Sequence, residues 1–445
     1  MQSQFRHDLL TMNSTEYKKY HESLMMNNHG SLVFHTFLCI FFTVQCSLYC
    51  SIVNRYSGVL QYVYEYIIIV LPMIAALTII SEYIYILNIA VFTILLYEFI
   101  YQYKKLDLLK KFKQYNRFKT GRIHTISAVR GLTYLITVFC ILAVDFEIFP
   151  RYLAKTEKYG YSLMDTGVGL FVFMSGLVHK DVAKNNVMAI IKGNTKFISI
   201  LVCLGVARFI SVKQLDYQEH VTEYGVHWNF FFTLAVCKLL SSVLLFYSNS
   251  PFYLSIIVIV LHETALYVGL QDWVFGDTPR INVLDANREG ITSSLGYVSL
   301  YLFSAHIKVI LVDKTIHRYK VQAKLILNCL ILWIMTYIVN FYRPTSRTLA
   351  NTGYCLYIEA IIVTIIALLY FHEVLFQNFD VPVILSTVND NGLLYFLIAN
   401  LITGAINLNI RTMLVSTPMT LITLNNYMVV TTAFTAYLKK IGVKI

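Results

Sequence analysis

Residues 351–371 read NTGYCLYIEAIIVTIIALLYF, a run in which Glu359 is the one formally charged residue. About 20 consecutive apolar residues are enough to cross a bilayer as a helix. Working outward, similar runs fall near 32–54, 59–80, 83–103, 132–149, 165–179, 196–212, 229–248, 252–272, 294–312, 323–342, 391–409 and 415–437. Together they predict an all-α fold, a polytopic transmembrane helical bundle with about thirteen spans. The shortest run, 165–179, holds Gly167, Gly169 and Gly176, which let neighbouring helices approach closely. Pro72 predicts a kink in the second span. With no soluble domain, internal repeat or low-complexity segment, the organisation reads as a lumenal tail (1–31), one transmembrane domain (32–438) and a cytoplasmic tail (439–445).

Composition agrees. The chain is 57% hydrophobic and only 14% charged, with a mean hydropathy of +0.60, whereas soluble domains carry about 25% charged residues. The net charge of +11 falls in short gaps between apolar runs. That is the habit of cytoplasmic loops, not of a nucleic-acid-binding face. All eight cysteines lie in apolar runs without a CxxC, so no disulfide framework or zinc site follows, and no metal is expected. The polar first 30 residues do not read as a cleaved signal peptide, so targeting is expected from the first span.

Loop charge sets the orientation. Between Lys104 and Arg130 nine basic residues face a single acid, Asp107, which predicts a cytoplasmic loop. Leu106, Leu109 and Phe112 recur there at helical spacing, as in a basic helix lying on an anionic leaflet or simply a solvated topogenic loop. Counting outward puts the N-terminus in the lumen, where the sequon at Asn13 could be glycosylated, and the C-terminus in the cytoplasm. Basic loops at 180–196 and 313–324 then fall inside and the acidic loop at 213–227 outside. Only 372–390, with Glu373, Asp380 and Asp390, runs against the pattern.

The rare polar groups carry the function. Asp145 sits near the lumenal end of the fourth span between Val144 and Phe146, an expensive place for a carboxylate without a partner. Lys155, beyond Pro150, could fold back onto it, as a tuned general base or as an ion pair that anchors the helix end. Asp165 stands where a helix starts, so its simplest role is an N-cap. Glu223, His227 and Asn229 open the seventh span on the same side, and Asn287 and Arg288 precede the ninth. Lys238, His262, Glu263, His306, Lys308 and Glu359 lie within spans, where paired partners are expected. No P-loop, GxSxG or HExxH is present.

Several stretches carry a resemblance: Ala143-Val144-Asp145-Phe146 through Phe149-Pro150-Arg151, Ala154-Lys155-Thr156-Glu157, and Leu163-Met164-Asp165 with Gly167-Val168-Gly169. To these are added Glu223-Tyr224-Gly225-Val226-His227-Trp228-Asn229-Phe230, Asn287-Arg288-Glu289-Gly290, and Ala399-Asn400-Leu401 with Thr403-Gly404 and Asn407. In them the chain resembles the PIG-W family, acyltransferases that acylate inositol during glycosylphosphatidylinositol (GPI) anchor synthesis in the endoplasmic reticulum. It departs at Tyr152, where that family has a second arginine, and at Glu147, where it has an apolar residue or proline.

The resemblance implies transfer of a palmitoyl chain from palmitoyl-CoA, a co-substrate rather than a cofactor, to the inositol 2-hydroxyl of glucosaminyl-phosphatidylinositol at a lumenal site. A hydroxyl needs a base to become a nucleophile, which makes Asp145 the candidate. Lys155 would orient it and stabilise an oxyanion or the coenzyme A phosphates. Arg151, Asp165, Glu223, His227, Asn229, Asn287, Arg288 and Asn400 are expected substrate contacts. Rival readings are a secondary transporter and a histidine-dependent membrane-bound O-acyltransferase using His262 or His306.

Overall fold

The computed structural model describes residues 13, 16–17, 20, 23, 26–53, 56–106, 123–179, 187–214, 221–313, 315–376 and 380–443. Leu109 and Phe112 lie outside these. The long helices are α1 (Val33–Ile52), α2 (Gly58–Ala76), α3 (Ile84–Leu106), α4 (His124–Ala143), α5 (Leu163–Leu177), α6 (Val187–Gln214) and α7 (Phe230–Tyr247). They continue as α8 (Pro251–Phe275), α9 (Arg288–Val312), α10 (Arg318–Tyr342) and α11 (Thr352–Leu375). The short α12 (Val383–Asp390) precedes α13 (Gly392–Asn409) and α14 (Thr417–Lys440). Among the described residues the only β-like pairing is an isolated bridge from Gly30 and Ser31 to Tyr161. A lipid interior favours this outcome, since a helix satisfies its backbone within one segment.

Eleven of these helices are long and apolar enough to cross a membrane. Two of the expected spans fall short of that mark. α5 has 15 residues, and α14 is long but carries Thr420, Asn425, Asn426, Thr431, Thr432 and Thr435. The stretch that opened the sequence reading becomes α11, whose apolar window is 78% buried inside the protein, against 11% for α3. α11 is therefore a central post. α3 shows Ile86, Ile89 and Tyr97 outward, as a lipid-facing helix should. Glu359, inside α11, is buried with no hydrogen bond or ion pair to another described residue, contrary to the expected pairing.

Three local corrections matter for the site. α4 ends at Ala143 rather than running on to Phe149, so Asp145 lies in the turn beyond it. Arg288 and Glu289 form the first turn of α9 rather than a loop. Near Pro72, whose nitrogen has no hydrogen to donate, α2 passes through a π turn at Tyr66–Val70.

Candidate active site

Loops that are far apart in sequence meet at one end of the bundle. Ser346 donates to Lys158 O at 2.6 Å, and Gly160 N donates to Thr345 O at 2.9 Å. Asn287 Oδ1 accepts from the N–H groups of His227 (2.8 Å) and Trp228 (2.9 Å). Gly225 makes that last contact possible: its φ is +101°, and a Cβ there would lie 2.5 Å from Ala286 O. The segment before α1 adds a clasp. Asn28 Nδ2 reaches the carbonyls of Arg151, Ala154 and Lys155 at 2.9–3.0 Å. Gly160, at φ +133°, lets His29 O come so close that a Cβ would sit 2.0 Å from it.

Two groups of polar side chains result. In the first, Asn407 donates to Asp145 Oδ2 at 2.7 Å. Arg151 turns its guanidinium to Val144 O (2.9 Å) and Phe146 O (2.6 Å), bracing the Asp145 turn. Burial pushes the Asp145 carboxyl up to about 6, against the opposing pull of the Asn407 amide, Arg151 and Lys155. A carboxylate with such a proton affinity can take a proton near neutrality and give it back.

The second group is a row of alternating charge. Lys155 Nζ donates to Glu223 Oε2 at 2.6 Å. Arg347 lies 3.4 Å from Glu223 Oε1 and 3.0 Å from Asp165 Oδ1. Asp165 Oδ2 accepts from Thr156 Oγ1 (2.7 Å) and Thr156 N (3.1 Å). Burial of Glu223 opposes its charge, yet Lys155 and Arg347 hold its carboxyl down to about 2. Glu223 is thus an anion at any working pH, and Lys155 keeps a permanent counter-charge.

Two expectations are corrected here. Lys155 does not fold back onto Asp145. The turn at Arg151–Leu153 and the extended Ala154 carry it across to Glu223, and it acts on Asp145 only at longer range. Asp165 is not the N-cap of α5. Ser162 is, accepting from Asp165 N at 3.1 Å, which frees the Asp165 carboxylate for Thr156 and Arg347.

The remaining candidates divide. Asn229 caps α7, accepting from Phe231 N at 3.0 Å, so it and Asn287 are occupied with backbone. Arg288 is held by Gly276 O and Thr278 at the start of α9. His227 is exposed, its ring 5.4 Å from that of Phe209. Asn400 binds Phe396 O on its own helix, and it is Asn407, about two turns on, that reaches Asp145. Asn13 is exposed and accepts from Glu16 N at 2.9 Å. His262 is tied to Leu349 O at 2.9 Å, and His306 packs between Phe252 and Phe303. Among the described residues no three His, Cys, Asp or Glu side chains gather as a metal would require.

Sequence reasoning missed Arg347. A signal was present: Arg343-Pro344-Thr345-Ser346-Arg347 puts two arginines in a loop that span counting assigns to the lumen, where positive charge is disfavoured. Arg343 pairs with Glu263 and Arg347 with the site.

Fold and site define a multispan membrane protein that gathers Asp145, Lys155, Asp165, Glu223 and Arg347 at one end of the bundle. Residues 17–438 match the GWT1 family, and the chain belongs to it. The glucosaminyl-phosphatidylinositol-acyltransferase PIGW of Bos taurus is 32% identical over 428 residues, covering 83% of this chain and 85% of that protein. Its Homo sapiens counterpart is 31% identical over 92% of this chain and 95% of its own length. The GPI-anchored wall transfer protein 1 of Candida albicans is 31% identical over 96% and 98%.

Proposed function

We propose that this protein transfers a long acyl chain, palmitoyl, from its coenzyme A thioester to the inositol 2-hydroxyl of glucosaminyl-phosphatidylinositol, with Asp145 as general base. Acylation of that lipid is the activity named for relatives that align over most of the chain. The observation that carries the assignment of the base is the buried Asp145, pushed up to about 6 and held by Asn407. As the hydroxyl oxygen attacks the thioester carbon, Asp145 takes its proton. The C–O bond forms, the C–S bond breaks, and the proton passes to the departing coenzyme A sulfur. Lys155, an ammonium whose side chain is 37% exposed, has hydrogens left beyond the one given to Glu223. It can stabilise the developing oxyanion or the phosphate of either substrate. Direct transfer suits the site better than an acyl-enzyme, because among the described residues no cysteine or serine hydrogen-bonds to Asp145.

The site faces the lumen of the endoplasmic reticulum in this reading, with the N-terminus on the same side and the C-terminus cytoplasmic. Arg151 and Asp165 shape the head-group end, and apolar helices hold the lipid tails. The test uses membranes containing the full chain, labelled palmitoyl-CoA and glucosaminyl-phosphatidylinositol. Wild type should form an acylated lipid resistant to inositol-directed phospholipase, and Asp145→Ala should not. Equal product from both would reject Asp145 as the base. A glycosidase-sensitive shift at Asn13 would check the orientation.

A further inference from the structure

We propose that Arg347 is a positioning residue for acyl transfer: it fixes Lys155 through Glu223 while binding Asp165, so that three loops share one charge arrangement. The proposal rests on the assignment of Lys155 to the reaction. Arg347 is 3% exposed and comes from the loop before α11. Its Nε faces Asp165 Oδ1 at 3.0 Å, and Nη1 faces Glu223 Oε1 at 3.4 Å. Arg347 Nε and Asp165 Oδ1 make no hydrogen bond among the described residues, so they face each other as an ion pair alone. The guanidinium carbon sits 5.7 Å from the centroid of the Tyr224 ring, over its face, which adds a cation–π contact.

The choice of arginine follows from shape. A planar fork can face two carboxylates in different directions at once, and a single ammonium cannot. Without Arg347, buried Asp165 would have no cation beside it, while the half-buried Glu223 would keep Lys155 and the more distant Arg208. Asp165 would then draw a proton or draw Lys155 away from its place. Asp165 is further secured by Thr156, the residue next to Lys155, so both sides of Lys155 depend on the same arginine.

The test compares wild type, Arg347→Ala, Arg347→Lys, Lys155→Ala and the Arg347→Ala/Lys155→Ala double variant, as full chains in membranes matched for expression. Arg347→Ala should lower kcat on the order of 100-fold, and Arg347→Lys should recover part of it, to within about tenfold of wild type. The double variant should be no slower than Lys155→Ala alone, because Arg347 acts through Lys155. Wild-type kcat in Arg347→Lys would overturn the two-way bridge. Losses that multiply in the double variant would overturn action through Lys155. A second readout needs no turnover: amine-reactive labelling of Lys155, followed by mass spectrometry, should be faster in Arg347→Lys than in wild type. Unchanged labelling rejects the proposal even if Arg347→Ala does not fold. Should the wild-type chain fail to acylate glucosaminyl-phosphatidylinositol, the substrate assignment falls while the labelling still decides the part played by Arg347.

Discussion

The two ends of the bundle use carboxylates differently. At the Asp145 end, acids meet side-chain cations and amides: Asp165 and Glu223 share Arg347, Glu223 also holds Lys155, and Asp145 holds Asn407. At the opposite end Asp390 pairs with Lys439 at 2.9 Å, but Glu373 and Glu65 are spent largely on backbone. Glu373 accepts from His124 N (3.0 Å), Thr125 N (2.8 Å) and Thr125 Oγ1 (2.5 Å), closing the start of α4. Glu65 accepts from Ile384 N (2.9 Å) and Gln61 (2.7 Å). That second end also contains a cavity of about 380 Å³, lined by Gln61, Glu65, His124, Ser386 and Lys439 among others. This cavity therefore lies apart from the proposed site. An acid tied to a helix start is a cap, whereas acids that share cations can set charge for a ligand.

The contrast can be broken by mutation. The largest effect should come from Asp145→Ala, which removes the proposed base and should lower acyl transfer about 10³-fold, with expression and thermal unfolding of the membrane-extracted protein unchanged. Next is Glu223→Gln. It leaves Lys155 without its anion, and kcat should fall roughly 30-fold while coenzyme A binding changes less; a rise in KM with kcat unchanged would argue that Lys155 only binds substrate. A smaller shift should appear in the pH profile. The proposed base, Asp145, could act only when ionised, so kcat/KM should rise with pH through about 6 and level off above it. Asn407→Leu removes a hydrogen bond that favours the ionised form, so the midpoint should move upward and activity at pH 6 should drop several-fold. An unmoved midpoint would mean that another group sets the acid limb. At the far end Glu373→Gln should lower stability by about 1 kcal/mol, read as an earlier melting transition, with turnover per folded molecule as in wild type.

Most of the helical layout was legible because apolar length is a local property, readable in a window of about 20 residues. α11 and α7 begin and end close to where their apolar runs do. α5 and α14 were harder, one for length and the other for its threonines and asparagines. Asp145, Lys155 and Glu223 were visible because charge beside apolar runs is costly and therefore rare. Their pairing was not visible. Sequence distance made Asp145 the near partner of Lys155, yet the chain crosses 68 residues to supply Glu223, and another 124 separate Glu223 from Arg347. Asp165 was misread for a local reason: Ser162, three residues earlier, was the better cap.

The span of those contacts fixes when the site comes into being. Asn28 must find the carbonyl of Lys155 across 127 residues, and Ser346 must find that of Lys158 across 188. During synthesis the ribosome has released Glu223 on the order of ten seconds before Arg347 exists. A chain still being inserted thus holds Asp145, Lys155, Asp165 and Glu223 without the arginine that joins the two acids. The charge row closes only after α10 has been made, so the proposed site cannot assemble on a half-built chain.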